Sequence, residues 1–450
     1  MDQKLKLTYR RIVSLWIPLA ATWLMMSMEG SFLAAVIARL AEPKYNLAAY
    51  GVAFSFAIII EAPIIMMLSA STVLVKDRDS FFKLRNFTYA LSTILTAVQV
   101  LILVTPAFDF VAIRLIGLPE PVARLTYRAL VVLLPWTGAI GYRRFYQGLF
   151  IRYDMSRRVA YGTVVRLITM ATTALVLYRF YEVDGTVVGA AALSVGVTAE
   201  AIASRLMVGG IVRRLRKTEP AESETLLTFG RILSFYIPLA LTSTISLAVH
   251  PMITFFMGQS RMALESLVII PVVNSLAFIF RSMGLSFQEV GIALLGDKSE
   301  NFVPLRNFAL WLGVVASLGL GVIAFTPLNH VWFHQVSGLS LELSEFARLP
   351  IQILTIIPFL SVLLSFQRSI LVNGRTTRPI TWTSVIEVVG IALVLFVGIR
   401  VLDMVGAVAA ATALLLGRMA GNIYITPACW RLIGSGLTAK VVPRRRPDPS

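Results

Sequence analysis

One cysteine in 450 residues, Cys429, excludes a disulfide framework and a cysteine-built metal site. Charged side chains make up only 14% of the chain, too few to cover a soluble protein of this length, and no stretch reads as a soluble domain. HExxH, GxSxG, a P-loop and paired aspartate-rich helix motifs are all missing, so the clustered catalytic set of a membrane enzyme is not expected, nor is a cofactor. His330 and His334 stand four apart around Val331, Trp332 and Phe333. An interfacial aromatic belt accounts for them more simply than a metal does.

What the chain does have is hydrophobic length. With 57% hydrophobic residues and apolar runs longer than 18 residues set end to end, it reads as an all-α polytopic membrane protein whose solvent is the lipid bilayer. The formal net charge of +17 would suggest nucleic acid in a soluble protein, but here the basic residues sit in short gaps between apolar runs and no nucleic-acid motif accompanies them. The first apolar run is too long for a cleaved signal and has no small-residue cleavage site at its end.

The chain repeats itself. RIVSLWIPLA at 11–20 returns as RILSFYIPLA at 231–240, and LRNFTYAL at 84–91 returns as LRNFALWL at 305–312. YQGLFIRYDMSRR at 146–158 answers FQRSILVNGRTTR at 366–378 more weakly. An offset of 220 or 221 residues means two copies of one unit, each opening on an apolar helix with proline in its second turn, Pro18 and Pro238. Twelve spans are expected, near 11–38, 46–74, 85–113, 121–149, 158–179, 185–210, 229–257, 263–294, 304–327, 343–370, 379–399 and 403–427. Six per half make the repeats parallel, related by an axis along the membrane normal. The expected units are an N-terminal bundle 1–212, a charged cytoplasmic linker 213–228, a C-terminal bundle 229–434 and a disordered basic tail 435–450. Small residues, Gly185, Gly189 and Ala190 in span 6 and Gly406, Ala407 and Ala409 in span 12, suit close helix contact.

Charges within spans are costly and mark function by default. Glu61 in span 2 and Arg281 in span 8 are counterparts at offset 220, each thirteen residues from its span's end, or about 20 Å at ~1.5 Å per residue. Across a pseudo-symmetry axis they are expected to pair with opposite sign, either as an anion-binding device or as a structural ion pair. Glu29 in span 1 and His250 in span 7 form a second near-symmetric set, expected to share a wet cavity. Glu200, Glu387, Arg166 and Arg418 are also intramembrane; Arg166 and Glu387 follow loops closely and are expected to snorkel or bond locally. Pro63, Pro135, Pro271 and Pro358 interrupt spans 2, 4, 8 and 10 as bending points or static kinks.

RIVSLWIPLA with the following MSMEG and LAAYGVAFSF, then RILSFYIPLALT, ALESLVIIPVVNS and VGAVAAATALLLGRMAGN, resembles the progressive-ankylosis (ANK) transporter family. The resemblance implies the MATE and polysaccharide-flippase (MOP) superfamily: two six-helix bundles in a V around a central cavity lined by spans 1, 2, 7 and 8. It implies that Glu29 occupies the acidic position of the family's first helix, and that Arg281, Glu61, Glu29 and His250 bind substrate. It also implies a monomer that exports a small polyvalent anion such as pyrophosphate, citrate or a nucleotide, with a coupling proton or sodium ion. A MATE-like cation or drug antiporter and a lipid-linked saccharide flippase are the alternatives within the fold; a non-transporting scaffold is the alternative outside it.

Lys and Arg divide 28 to 9 between the two sets of connections, which puts both termini on the cytoplasmic side of an inner (plasma) membrane. Single cysteines introduced at Ser450 and Ser260 are therefore expected to label from opposite sides of intact cells; labelling from one side overturns the topology.

Overall fold

The computed structural model describes residues 7–153, 155, 157–217, 227–296, 300–374, 376 and 378–438. All regular elements among them are helical, and one isolated bridge joins Arg261 to Val405. The first repeat contains α1 (Tyr9–Ile37), α2 (Pro43–Glu61), α3 (Met67–Leu74), α4 (Arg78–Val104), α5 (Glu120–Val132), α6 (Leu134–Arg152), α7 (Arg157–Phe180), α8 (Gly185–Met207) and α9 (Gly209–Lys217). The second contains α10 (Phe229–Leu247), α11 (Val249–Gly258), α12 (Ala263–Leu294), α13 (Phe302–Phe325), α14 (Leu341–Ile353), α15 (Ile357–Asn373), α16 (Arg378–Phe396) and α17 (Gly406–Thr438). Helix α9 enters the stretch expected as a linker, of which 218–226 lie outside the described residues. Helix α17 runs into the expected tail, of which 439–450 lie outside them.

Ten helices among the described residues are long and apolar enough to cross a membrane. The other two expected spans, the second and fourth, are divided into shorter helices; the seventh (α10 and α11) and tenth (α14 and α15) are jointed too but count as single runs. Pro63 lies between α2 and α3, and Pro135 starts α6 after a one-residue break at Leu133. Proline cannot donate to the preceding turn and its ring clashes with it, so a helix stops or restarts there. Pro271, by contrast, sits inside the unbroken α12.

The duplication is written into the backbone. Glu42 and Met262, 220 residues apart, both take left-handed conformations (φ 48° and 54°) immediately before α2 and α12. Gly117 and Gly338 both have φ near +80° after matching π-helical turns, Phe110–Leu115 and Val331–Val336. The proline-bearing first helices carry equal side-chain bonds as well. Thr22 donates to the Pro18 carbonyl at 3.1 Å and Thr242 to that of Pro238 at 2.8 Å.

These first helices cross to the opposite repeat. Trp16 Nε1 on α1 donates to Ser286 Oγ at 2.9 Å and to the Met283 carbonyl at 3.3 Å, both on α12. Its counterpart Tyr236 on α10 donates to the Pro63 carbonyl at 2.7 Å, and Ser243 donates to the Ala62 carbonyl at 2.7 Å. The carbonyls set free where α2 breaks are thus satisfied from across the interface, as an apolar surrounding requires. Trp16 also meets Phe308 edge-on at 5.9 Å, and Tyr236 meets Phe87 at 5.3 Å. Each echoed stretch therefore packs on the other echoed stretch of the opposite copy.

At the end of the molecule where α1 leads into α2, a second reciprocal set joins the repeats. Arg39 donates to the carbonyls of Gln335 and Val336 at 2.6 and 2.9 Å, and its counterpart Gln259 donates to that of Leu115 at 2.5 Å. Lys44 pairs with Glu265 at 2.7 Å between the first turns of α2 and α12. One turn or two further along, a Cβ on Gly51 would lie 2.7 Å from Pro271 Cγ, so glycine is what lets α2 and α12 touch at their symmetry-related positions.

Within each repeat, close packing relies on small residues, as expected for spans 6 and 12: a Cβ on Gly189 would come within 2.9 Å of Tyr50, and one on Gly406 within 2.1 Å of Ser260 Oγ. The contact between the second and fourth spans is conserved with its partners exchanged. Gly148 on α6 faces Ser71 on α3, whereas Gly291 on α12 faces Ser369 on α15. Gly291→Ala would place a methyl 2.4 Å from Ser369 Oγ. It is expected to cost ~1–3 kcal/mol, read as a lowered thermal midpoint in detergent, and Ser369→Gly in the same chain is expected to restore it. An unchanged midpoint in the single variant contradicts the packing.

Candidate functional site

Each repeat buries one cluster of charged side chains. In the first repeat Glu29 (α1) forms an ion pair with Arg166 (α7) at 2.5 Å, and Arg166 Nε lies 3.4 Å from Glu200 (α8). Glu200 is fully buried; it also takes Arg143 of α6 on the same oxygen and Gln147 Nε2 on the other at 2.9 Å. A Cβ on Gly162 of α7 would lie 3.3 Å from Glu200 Cγ, so the glycine makes room for the carboxylate. Glu61, at the last turn of α2, is buried within electrostatic reach of Arg143 and Arg144, and its Oε2 has no hydrogen-bond partner. Three carboxylates thus face three guanidiniums, and the cluster is balanced.

The second repeat is built differently. Arg418 (α17) pairs with Glu387 (α16) at 2.8 Å. Gly417 and Gly421 of α17 lie against Glu387 and allow the two helices to close on the pair. Arg368 (α15) reaches Ser384 of α16 only at 3.4 Å, and both Arg418 and Glu387 lie within its electrostatic reach. Arg281 (α12) lies within reach of the same pair, with its guanidinium 6.0 Å from the Phe278 ring. Among the described residues Arg281 makes no ion pair or side-chain hydrogen bond, and the Nε atoms of all three arginines lack a partner. Three guanidiniums face one carboxylate here. His250 of α11 lies close to Arg281 and remains exposed.

The two clusters are related by the repeat with the signs exchanged. On the fifth and sixth spans of the first copy the arginine is on α7 and the carboxylate on α8; in the second copy the carboxylate is on α16 and the arginine on α17. Gln147 and Gln367, counterparts at offset 220, both bond to the sixth span: Gln147 to Glu200, and Gln367 to Thr426 Oγ1 at 2.9 Å.

Set against the sequence, Glu29, Glu61 and Arg281 lie inside the protein and His250 is exposed, and none of the four is in its expected pair. No ion pair joins Glu61 to Arg281 among the described residues: Glu61 belongs to the arginines of its own repeat, and Arg281 to Glu387 and Arg418 of its own. Helices α2 and α12 touch near Gly51 and Pro271, and by Glu61 and Arg281, ten residues on, each side chain is committed to its own bundle. Likewise Glu29 is held by Arg166, and no hydrogen bond or ion pair joins it to His250. Arg166 and Glu387, expected to snorkel or bond locally, form ion pairs with a neighbouring helix. Arg143, Arg144 and Arg368 were missed because they adjoin basic loops and counted towards the positive side. The repeated glutamine, Gln147 and Gln367, was the available signal that these turns are buried.

Glu200 is the carboxylate on which most of the first cluster converges. Glu200→Gln is expected to leave Arg143 and Arg166 under-compensated and to cost ~3–5 kcal/mol. Glu387→Gln breaks a single ion pair whose members keep 16% and 14% exposure, so solvation can replace part of what is lost and the thermal midpoint should fall less. Equal losses in detergent unfolding contradict the contrast between the clusters.

The sequence matches no family model and no curated protein. Among solved structures, an inward-facing multidrug-resistance MATE transporter of the MOP superfamily superposes with a TM-score of 0.73 at 14% identity, covering 93% of this chain and 96% of that one. The lipid II flippase MurJ, in an inward-closed conformation, gives 0.70 at 14% identity over 94% and 91%. A MOP-superfamily transporter from Pyrococcus furiosus, described as having a binding pocket of reversed polarity, gives 0.64 at 15% identity over 95% and 96%. The chain therefore has the fold of MATE and MOP-superfamily transporters and is a multi-pass membrane protein. The finer resemblance to the progressive-ankylosis family finds no support in these comparisons.

Proposed function

We propose that the chain is an alternating-access secondary transporter that moves a small polyvalent anion, of the pyrophosphate, citrate or nucleotide kind, through a space between its two repeats. The repeats are taken as 1–212 and 229–434, joined by 213–228, with both termini cytoplasmic. The observation that carries the substrate sign is the charge of the buried clusters: six arginines (Arg143, Arg144, Arg166, Arg281, Arg368, Arg418) against four glutamates (Glu29, Glu61, Glu200, Glu387), with the whole surplus in the second repeat. A guanidinium held in apolar surroundings without a counter-charge costs several kcal/mol. A protein that keeps two of them there gains from a ligand that brings negative charge.

The same bookkeeping weighs against a cationic drug as cargo. In the first repeat Glu29 and Glu200 are ion-paired within their own bundle and Glu61 lies within electrostatic reach of Arg143 and Arg144, so three guanidiniums already offset the three acids a cation would need. The conformation that fits best is the one closed at the Arg39, Lys44 and Gln259 end. The likeness to a multidrug-resistance MATE transporter is greater in its inward-facing form (TM-score 0.73) than in an outward-facing form (0.62).

Purified protein in proteoliposomes is expected to exchange radiolabelled pyrophosphate or citrate against the same anion on the far side, and not to move tetraphenylphosphonium. Cation movement without anion exchange overturns this reading in favour of a MATE-like antiporter.

A further inference from the structure

We propose that Arg281, Arg368 and Arg418 form one oxyanion subsite in the second repeat, for which Glu387 is the resident counter-charge that an arriving phosphate or diphosphate group displaces. The proposal rests on the anion reading above and adds the place, the residues and the chemical class.

Four elements bring the groups together: α12 supplies Arg281, α15 Arg368, α16 Glu387 and α17 Arg418. Only one contact in this set is a closed ion pair, Arg418 with Glu387 at 2.8 Å. Both members keep partial exposure, 16% and 14% of the side chain, so the pair is not sealed in the core. Arg281 and Arg368 lie within electrostatic reach of that pair without an ion pair of their own among the described residues. One guanidinium contacts the acceptor, and two more lie within electrostatic reach of it. Planar guanidiniums match the paired oxygens of a phosphate group, and a charge-assisted fork is stronger and more selective than a single ammonium contact.

The first repeat acts as an internal control. It has the same architecture and three clustered arginines of its own, yet Glu29, Glu61 and Glu200 balance them. An excess of guanidinium is therefore no requirement of the fold: it belongs to the second copy alone. Glu387 keeps the empty site from presenting three uncompensated charges. An anion carrying two or more charges offers what Glu387 offers and more, so it competes for Arg418 while engaging Arg281 and Arg368. His250, next to Arg281 on α11, is the remaining titratable group at the edge, and Ser384 of α16 is the neutral donor nearest Arg368.

The shared chemistry is a phosphate oxyanion, free or esterified to a lipid, and the probes separate the two. Calorimetric titration of the full chain in detergent is run with inorganic pyrophosphate and, separately, with geranylgeranyl diphosphate. The parent is expected to bind at least one. Arg281→Gln and Arg368→Gln are each expected to weaken that binding about tenfold or more, since each removes a charge-assisted fork. Glu387→Gln is expected to tighten it severalfold by removing the competitor, and the exposed Arg306→Gln, which also removes one positive charge, to leave it unchanged. Arg281→Lys and Arg368→Lys keep the charge should a glutamine variant fail to fold, and are expected to bind more weakly than the parent. Pyrophosphate binding alone assigns a free anion; binding of the lipid diphosphate alone assigns a lipid-linked one. If the parent binds and exchanges an anion while the Arg281 and Arg368 variants match it, the subsite is wrong and the anion reading stands. If the parent neither binds nor exchanges any anion, both fall together.

Discussion

Trp16 donating into α12 and Tyr236 donating into the break between α2 and α3 are the same contact made twice, once in each direction. The aromatic edges of Phe308 and Phe87 complete both copies. In lipid the attraction between helices comes from packing and hydrogen bonds rather than from water exclusion, so a polar aromatic tip that meets a spare carbonyl is worth keeping. Because the first helix of each repeat makes this contact with the other repeat, neither half has a complete set of partners alone. The closed end repeats the device with Arg39 and Gln259. Reciprocal bonds at two levels set how the halves sit, each with its own charged cluster inside.

Divergence between the copies has preserved pairs rather than residues. Ser71 against Gly148 becomes Gly291 against Ser369, with the bulk moved to the opposite helix. Arg166 against Glu200 becomes Glu387 against Arg418, with the charge moved likewise. A packed interface tolerates either order, since what is penalised is two large groups or two like charges in one place. Where compensation was not kept, at Arg281 and Arg368, the departure stands out against an otherwise balanced pattern. That is the physical ground for assigning the second repeat the ligand-facing charge.

The helix break near Pro63 has a similar logic. Met283, the counterpart of Pro63, lies in an unbroken helix, and its carbonyl takes the longer of Trp16's two bonds at 3.3 Å. The break at Pro63 leaves the Ala62 and Pro63 carbonyls open, and Ser243 and Tyr236 hold them at 2.7 Å. One copy is thus hinged and stapled, the other continuous. Gly51 lies against Pro271 where the two meet.

Much of this was legible in the sequence: apolar runs of bilayer length, a 220-residue echo and a basic bias of the connections dictate a duplicated helical membrane protein, because lipid leaves the backbone few other options. The echoes even named the residues that hold the halves together, Trp16, Tyr236, Phe87 and Phe308, though not that they meet crosswise. The charged residues were visible too, but their partners were not. Sequence offset pairs Glu61 with Arg281 because it knows only depth, whereas an ion pair needs two side chains within about 4 Å, and that depends on how each helix is rotated and where it parts from its neighbour. Arg143, Arg144 and Arg368 read as loop charges for the same reason: linear position cannot tell the last buried turn of a helix from the first exposed one. The chain alone determined the spans, the repeat and the surplus of positive charge; only the packing of helices in three dimensions decided which carboxylate meets which guanidinium, and so where the surplus lies.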